Sequence, residues 1–331
     1  MSSDVLGKYK NKTVVVVGGN GYIGSTLVSC LAKSACIVHI IGIADECGID
    51  IAAYDGRVVY HQGDVSKPET WKLLPESCDC IFHLAAFEDH GLQSNKMHDL
   101  EVNALSVLYL LEEVRIRGDN PKIVYSSSSN LFGLNETVVV NERLRDNPPS
   151  LWSSHKLLAE NYLRVYAQQH DILSLSLRLV NVYGPSARFE TNMSVALNKV
   201  IFQGLKEGKL VLYPNKTCVR DYIFIDDVVQ AFLEAGVSTV LNWDGSFYMI
   251  GSEVGKTFEE AWVIVREVIR KCTGNDVVIE INQDVVLTPH AMRQCIADST
   301  LFKSKTQWCS TIDLENGVER TVRMFQESNG I

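Results

Sequence analysis

The segment TVVVVGGNGYIG, Thr13 to Gly24, constrains the fold more than any other part of the chain. The β-branched run from Thr13 to Val17 reads as a short strand buried on both faces, and IGSTLVSCLAKS beyond it carries the apolar period of a helix. Between them Gly18, Gly21 and Gly24 are spaced G-x-x-G-x-x-G. In such a unit one glycine makes the tight turn, one lets the backbone approach a pyrophosphate, and one permits close packing of helix on strand. The N–H groups of Tyr22, Ile23 and Gly24 then open the helix without intrahelical partners, at the positive end of its dipole, which suits a phosphate. A purely structural turn can use the same glycines. Here the turn follows a strand, precedes a helix and starts the fold, so it points to a dinucleotide.

A bound dinucleotide needs an adenosine-side partner at the end of the second strand, which CIVHIIGIAD supplies. The expected spot falls near Gly42 to Asp45; Asp45 is the acid there, either a ribose ligand or a solvated loop carboxylate. IIGIADECGID holds no Arg or Lys to receive a 2′-phosphate, which favours NAD over NADP. Asp64, after the strand candidate RVVYHQGDV, is placed to accept from the adenine amino group or, equally, to cap a helix ahead of SKPETWKLL.

CDCIFHLAA, PKIVYSSSS and ILSLSLRLVNVYG are further strand candidates, separated by helical segments such as DLEVNALSVLYLLEEVRIRG. This alternation predicts βαβ units with right-handed crossovers, hence a Rossmann-type doubly wound α/β fold with a smaller C-terminal substrate-binding part. The expected division is 1–180 for the dinucleotide-binding domain, with a returning segment near 220–255, and 181–331 for the interleaved smaller part. A length of 331 residues allows two such subdomains. The net charge of -9 argues against nucleic acid, whose phosphates need a basic face. No apolar run reaches the ~18 residues of a membrane span, and MSSDVLGKYKNK has no signal-type core, so a cytoplasmic protein is expected. Nine scattered cysteines show neither a disulfide framework nor a zinc pattern, and no metal is expected.

GGNGYIG, GDV, HLAA, VNALSVLYLLE, VYSSSSNLFGLN, SLWSSHKLLAENYL, RLVNVYGP and VRDYIFIDDVV occur in this order along nearly the whole chain. Together they resemble the extended short-chain dehydrogenase/reductase superfamily, in its nucleotide-sugar epimerase and dehydratase branch. The run from Tyr125 to Asn135 is most similar to UDP-glucuronate and UDP-galactose 4-epimerases. The resemblance implies that Val65 of GDV and Leu84, Ala85 and Ala86 of HLAA line the cofactor. Asn103 matches a structural Asn on the fourth helix, a place that a buried, satisfied amide also fits. Asn181 and Arg220 match positions that hold the diphosphate of a nucleotide-sugar, a task suited to a planar guanidinium; an ion pair with Asp221 or Asp226 is the alternative for Arg220. Arg293 is a further candidate on the substrate side. The implied ligands are NAD and a nucleoside-diphosphate sugar, uridine-linked. The two helices containing Asn103 and Lys156 imply a homodimer joined by a four-helix bundle.

The reaction is where the chain departs from its relatives. The resemblance implies an acid/base Tyr, a Lys four residues on that binds the nicotinamide ribose, and a Ser or Thr that orients the substrate hydroxyl. Lys156 and Ser128 keep two of these positions, but Trp152 occupies the first, and an indole donates a hydrogen bond without exchanging a proton near neutral pH. Ser129 and Asn130 stand where dehydratases of the common kind carry Asp-Glu, and Met249 of YMIG stands where Asn is frequent, although Tyr248 fits. A 4-epimerase cycle through a transient 4-keto sugar remains. It needs a substitute acid/base: Glu88 and His90 on the loop after the fourth strand, or Lys156 itself; each of the first two also reads as a solvated loop residue. His155 is disfavoured, because neighbours on a helix point about 100° apart. The other readings are a catalytically silent paralogue that binds NAD and a nucleotide-sugar, or a related nucleotide-sugar dehydratase or reductase.

Overall fold

The structure is a computed structural model and describes residues 3–50, 57–87, 95–134, 137–287 and 289–329. After a short helix α1 (Ser3–Gly7) the chain builds β1 (Thr13–Val17), α2 (Tyr22–Leu31), β2 (Ile37–Gly42), β3 (Val58–Gln62) and β4 (Cys80–His83). Next come α3 (Lys96–Leu100), which runs through a π-helical turn at Glu101–Leu105 into α4 (Ser106–Arg117), then β5 (Lys122–Ser128), the two-residue β6 (Val139–Val140), α5 (Leu151–His170) and β7 (Ser174–Leu179). The rest is β8 (Asn181–Tyr183), α6 (Ala196–Glu207), β9 (Lys209–Leu212), β10 (Val219–Phe224), α7 (Ile225–Val237), β11 (Asp244–Ile250), β12 (Gly255–Thr257) and α8 (Phe258–Thr273). β13 (Val278–Ile281), β14 (Ile296–Ala297), α9 (Thr300–Lys305) and α10 (Leu314–Asn329) complete it.

Seven strands form one parallel sheet in the order β11-β7-β5-β4-β1-β2-β3. The valine run explains why β1 lies near its middle. Val14 and Val16 enter one apolar core with Leu27 and Phe232, while Val15 and Val17 enter a second core on the opposite face with Trp71, Leu110 and Leu163. A strand buried on both faces must be apolar at every position, and helices must cover it on both sides. β11 joins the far edge beside β7, so residues well beyond β7 in the chain complete the sheet. The smaller part holds the three-stranded sheet β12-β10-β8, the pair β13-β9, and helices α6, α8 and α10.

Two elements differ from the sequence expectation. ILSLSLRLVNVYG is not one strand: β7 stays in the main sheet, whereas β8 pairs in parallel with β10, with Tyr222 opposite Asn181. The break at Val180, whose N–H donates to Ile250 O at 3.3 Å, carries the chain from one sheet to the other. Likewise the expected fourth helix widens into the π turn at Asn103, and such turns recur where a helix must present a side chain at a site.

α5 begins with a reciprocal cap, Ser150 and Ser153 each accepting the other's backbone N–H. It is then fastened to the sheet by Arg178 of β7, which is fully buried. Arg178 meets Glu160 of α5 at 2.6 and 2.9 Å and Asp146, just ahead of that helix, at 2.6 and 3.2 Å. Its guanidinium lies 3.5 Å from the Phe247 ring centroid of β11. Satisfied on all sides, this ion triad holds α5 at one height on the sheet. Arg178→Ala would strand Glu160 as a buried, unpaired carboxylate and is expected to lower the unfolding free energy by roughly 3–5 kcal/mol, measured by urea denaturation; an unchanged midpoint would contradict that role.

Candidate functional site

Strand order reverses beside β1, since β2 and β3 lie to one side of it and β4 to the other, and a crevice opens at the strands' C-terminal ends. The glycine turn sits in that crevice. Gly18 has φ +79°, and a Cβ on it would come within 2.7 Å of Ala85 N, so only glycine lets β1 exit against the segment after β4. Gly24 has no room either, because its Cβ would collide with Gly18 O. Gly21 differs: a Cβ there would meet only Gly18 O, at 3.1 Å, and otherwise point into the open. Gly21 also caps α2 without a side-chain hydrogen bond, and the first turn, with Tyr22, Ile23 and Gly24, contains no acid. The helix start is therefore an uncapped, positively polarised cradle that fits a dinucleotide pyrophosphate.

On the adenosine side the strand stops short of Asp45. β2 ends on Gly42, and the place a side chain would take there is filled by Tyr60 Oη, 3.2 Å from the position of a Cβ, and by Asn20 Nδ2 at 3.5 Å. Asp45 lies beyond the strand end, exposed, and accepts from Gln62 Nε2 at 2.8 Å. Asp64 makes a local turn, its carboxylate accepting Ser66 N at 2.9 Å and its carbonyl accepting Thr70 Oγ1 at 2.6 Å, and the residue that starts the following helical run is Lys67. The element it leads into is a 3-10 run, Pro68–Leu73, instead of the expected α-helix. Val65 is buried beside it, and Leu84, Ala85 and Ala86 line the β4 exit.

Asn103 is a buried amide, satisfied from all sides. It accepts Phe87 N at 3.2 Å and donates to Phe87 O at 2.6 Å and to Asp99 at 2.8 Å. Its carbonyl accepts Tyr125 Oη at 3.1 Å, so it clamps the segment after β4 against β5. Lys156 is buried and donates to Ser126 O at 3.0 Å; its ammonium lies 4.6 Å from the Tyr125 ring centroid and 6.0 Å from that of Trp152. Trp152 Nε1 is buried with no hydrogen-bond partner. Ser128, at the end of β5, accepts Asn130 N at 3.1 Å, which leaves its hydroxyl hydrogen available to donate. Glu88 and His90 lie outside the described residues.

The sequence reading missed one pair. His155 Nδ1 lies 2.8 Å from Asp99 Oδ1, which also accepts from Asn103, so an Asp-His pair adjoins Lys156. The relevant comparison on α5 is with Trp152: His155 and Lys156 lie at i+3 and i+4 from it and share its side of the helix. The i, i+4 spacing of Asp99 and Asn103 was the available signal.

On the substrate side, Asn181 Nδ2 donates to Asp221 O at 2.8 Å. Arg220 and Arg293 are both buried. Arg220 donates to Val219 O at 3.2 Å and Ala291 O at 3.1 Å and lies 4.9 Å from the Phe258 ring centroid; Arg293 reaches Ser129 Oγ at 3.4 Å. The alternative ion pair for Arg220 does not form. Asp221 is spent on Ser252, Glu253 and Ala297, and Asp226 faces Arg320. Burial, then the charge of Arg293, pulls the Arg220 guanidinium below its usual range. Among the described residues these two buried cations share no carboxylate, an arrangement that fits an anionic ligand.

A glycine turn at the switch point of a doubly wound sheet, with Ser128 at the end of β5, Lys156 on α5 and two buried arginines, fits the short-chain dehydrogenase/reductase class. Residues 14–251 match the model of the NAD dependent epimerase/dehydratase family, and the chain belongs to that family, in the nucleotide-sugar epimerase branch of the extended short-chain dehydrogenases/reductases. Its cofactor is NAD. A UDP-glucose 4-epimerase from Mycolicibacterium smegmatis is 25% identical over 95% of this chain and 99% of its own length. The structure of a Thermotoga maritima UDP-glucose 4-epimerase with UDP-glucose superposes with a TM-score of 0.82 at 25% identity, covering 96% of this chain and 99% of that one. A UDP-glucuronic acid 4-epimerase from Bacillus cereus in complex with NAD gives 0.80 at 24% identity, covering 96% and 99%. Among the described residues no helix is long and apolar enough to cross a membrane.

Beneath the site, His83 is buried between Trp71 and Tyr125 with Nε2 3.2 Å from Ser106 Oγ. Burial, and secondarily the charge of Lys156, pushes its pKa from 6.5 down to about 3. Between those values the unfolded chain binds a proton that the native imidazole refuses, so stability falls on acidification through that window, by at most about 1.4 kcal/mol per pH unit. His83→Gln removes this proton and is expected to give a shallower dependence of unfolding free energy on pH between 4 and 6; parallel curves for the two proteins would refute it.

Proposed function

We propose that the chain is an NAD-dependent nucleotide-sugar epimerase of the 4-epimerase type, with a replacement acid/base. The buried pair Arg220 and Arg293, which share no carboxylate among the described residues, carries this reading, because a nucleoside diphosphate would supply negative charge to both guanidiniums. The relatives named UDP-glucose 4-epimerase support a uridine-linked sugar. Gly18, Gly21, Tyr22, Ile23 and Gly24 would hold the pyrophosphate, with Val65, Leu84, Ala85 and Ala86 lining the cofactor and Lys156 serving the nicotinamide ribose. Asn181 would assist the arginines. Residues 1–180 with the return near 220–255 would form the cofactor domain, and 181–331 the interleaved substrate part.

When bound, NAD would supply reversible hydride chemistry at the sugar C4, and a 4-epimerase outcome needs the 4-keto sugar to present its other face before reduction. Each transfer requires a proton to leave, then rejoin, the C4 oxygen. Ser128 is free to donate to that oxygen and orient it. Trp152 offers one further donor, its N–H, and no base. The proton therefore passes to Lys156 or to the His155 and Asp99 pair among the described groups, or to Glu88 or His90. Asp99 holds His155 Nδ1, so Nε2 is the nitrogen left to exchange a proton. A second reading, a silent paralogue that binds both ligands, draws on the same unpartnered indole. Cytoplasmic residence and a homodimer are part of the proposal. Leu151 and Val165 of α5 and Ile116 of α4 are exposed apolar residues on the helices that would pair, and a monomer mass by light scattering at micromolar concentration would remove the dimer.

Arg220→Ala is expected to weaken UDP-sugar binding about 10- to 100-fold while leaving NAD affinity intact, and Gly21→Val to abolish NAD binding, both read by calorimetry. Equal loss of both ligands in Arg220→Ala would show damage to the fold. Turnover is tested by incubating protein, NAD+ and UDP-sugars and following epimer or transient NADH. Loss of the true acid/base should cost about 100-fold or more. Native turnover that survives separate replacement of Glu88, His90, His155 and Lys156 would refute a replacement base. Binding without turnover, with activity gained in Trp152→Tyr, would establish the silent paralogue.

A further inference from the structure

At the adenosine end of the cradle β2 ends on Gly42, which brings no carboxylate to the strand end, and a cation reaches this end from a distant part of the chain. Arg188 lies beyond β8, in a segment moored to the start of α2. Tyr22 Oη donates to Gly184 O at 2.7 Å, Ser186 Oγ to Tyr22 O at 2.9 Å, and Ala187 N to Thr26 Oγ1 at 3.1 Å. The guanidinium is carried to the glycine turn itself, where Nη1 donates to Asn20 O at 3.3 Å. Across from Asn20 it lies flat on Gly48, so close that a Cβ there would fall 2.5 Å from Nε and 2.7 Å from Cζ. Arg188 thus bridges the glycine turn and the segment after β2, the two walls between which a dinucleotide's adenosine ribose lies.

Among the described residues Asp45, Glu46 and Glu190 are carboxylates near this rim. Asp45 is exposed and bonded to Gln62, Glu46 is exposed with its carbonyl accepting Asn20 Nδ2 at 3.3 Å, and Glu190 lies 3.4 Å from Arg188 Nε. Glu190 is 73% exposed, and an ion pair of that kind is worth little against a dianionic phosphate able to take the guanidinium fork. Gly42 cannot repel such a phosphate as an acid at the strand end would. We propose that, besides NAD, this site accepts the dinucleotide phosphorylated at the adenosine ribose, NADP, with Arg188 as the ligand of its 2′-phosphate. The inference rests on the dinucleotide reading of the glycine turn.

The test is calorimetric titration of the full chain with NAD+ and with NADP+, for the native protein, Arg188→Ala and Arg188→Lys. The native protein should bind NADP+ within about tenfold of NAD+. Arg188→Ala should weaken NADP+ about tenfold or more while changing NAD+ less than about threefold, and Arg188→Lys should fall between them. Thermal melting of each variant identifies misfolding, and Arg188→Lys keeps the charge in place should Arg188→Ala unfold. NADP+ binding more than tenfold weaker than NAD+ in the native protein, or an unchanged ratio of the two in both variants, would overturn the assignment. Binding of neither nucleotide would overturn the dinucleotide reading and this inference with it.

Discussion

The close approach of Gly18 to the backbone of Ala85 sets the geometry of everything around it. It brings the exit of β1 against the exit of β4 at the one place where strand order reverses, and so makes the crevice. A side chain there would push the two segments apart, and with them the helix start that forms the phosphate cradle. Leu84 N donates to Val17 O at 2.9 Å just beneath, and Asn103 clamps Phe87 above. Between the β1 and β4 exits the crevice is closed by backbone contacts and one buried amide.

Around that fixed point the fold places its polar groups by burial in satisfied networks. Arg178, Glu160 and Asp146 seat α5 on the sheet, and Lys156 stands one turn earlier on the same helix. Asp221 and Asp227 work in the same way in the smaller part: the first accepts from Ser252, Glu253 and Ala297, the second from Ser310, Thr311 and Ile312. Arg220 and Arg293 break this pattern. Two buried guanidiniums that share no carboxylate among the described residues fit a site where a ligand supplies the negative charge.

What the sequence disclosed follows from how local each feature is. The glycine cradle, the apolar strands and the capped start of α5 are written in contiguous residues, and Ser128, Lys156 and Trp152 could be located from motif spacing alone. Features made by distant segments were not legible. Arg188 is separated from Gly42 by most of the cofactor domain, so the search for a cation near IIGIADECGID could not find it. The exchange of β8 into a second sheet depends on β10, and the Asp99 and His155 contact on how α3 packs against α5. Where β2 stops relative to Asp45 was likewise not legible, because a single acid near a strand end carries no record of the strand's last residue.

The polarity of the reacting centre is the last consequence of Trp152. A tyrosine at this place can accept as well as donate, and so accommodates both an alcohol and a ketone at the carbon that reacts. The indole N–H only donates, Ser128 has its oxygen engaged by Asn130 and offers its hydrogen, and Lys156 is a donor too. On the proposed reading these donors converge on an oxygen that must accept from them, which matches the carbonyl of a 4-keto sugar better than a hydroxyl that also needs an acceptor for its own hydrogen. Catalysis depends on stabilising what forms during reaction more than what binds first. A donor-only centre therefore favours the oxidised sugar over the alcohol, and the proton needs an acceptor beyond Ser128 and Trp152. The same residue thus ties together two features: a pocket polarised toward the keto form, and a requirement for a base among Lys156, the His155 and Asp99 pair, Glu88 and His90.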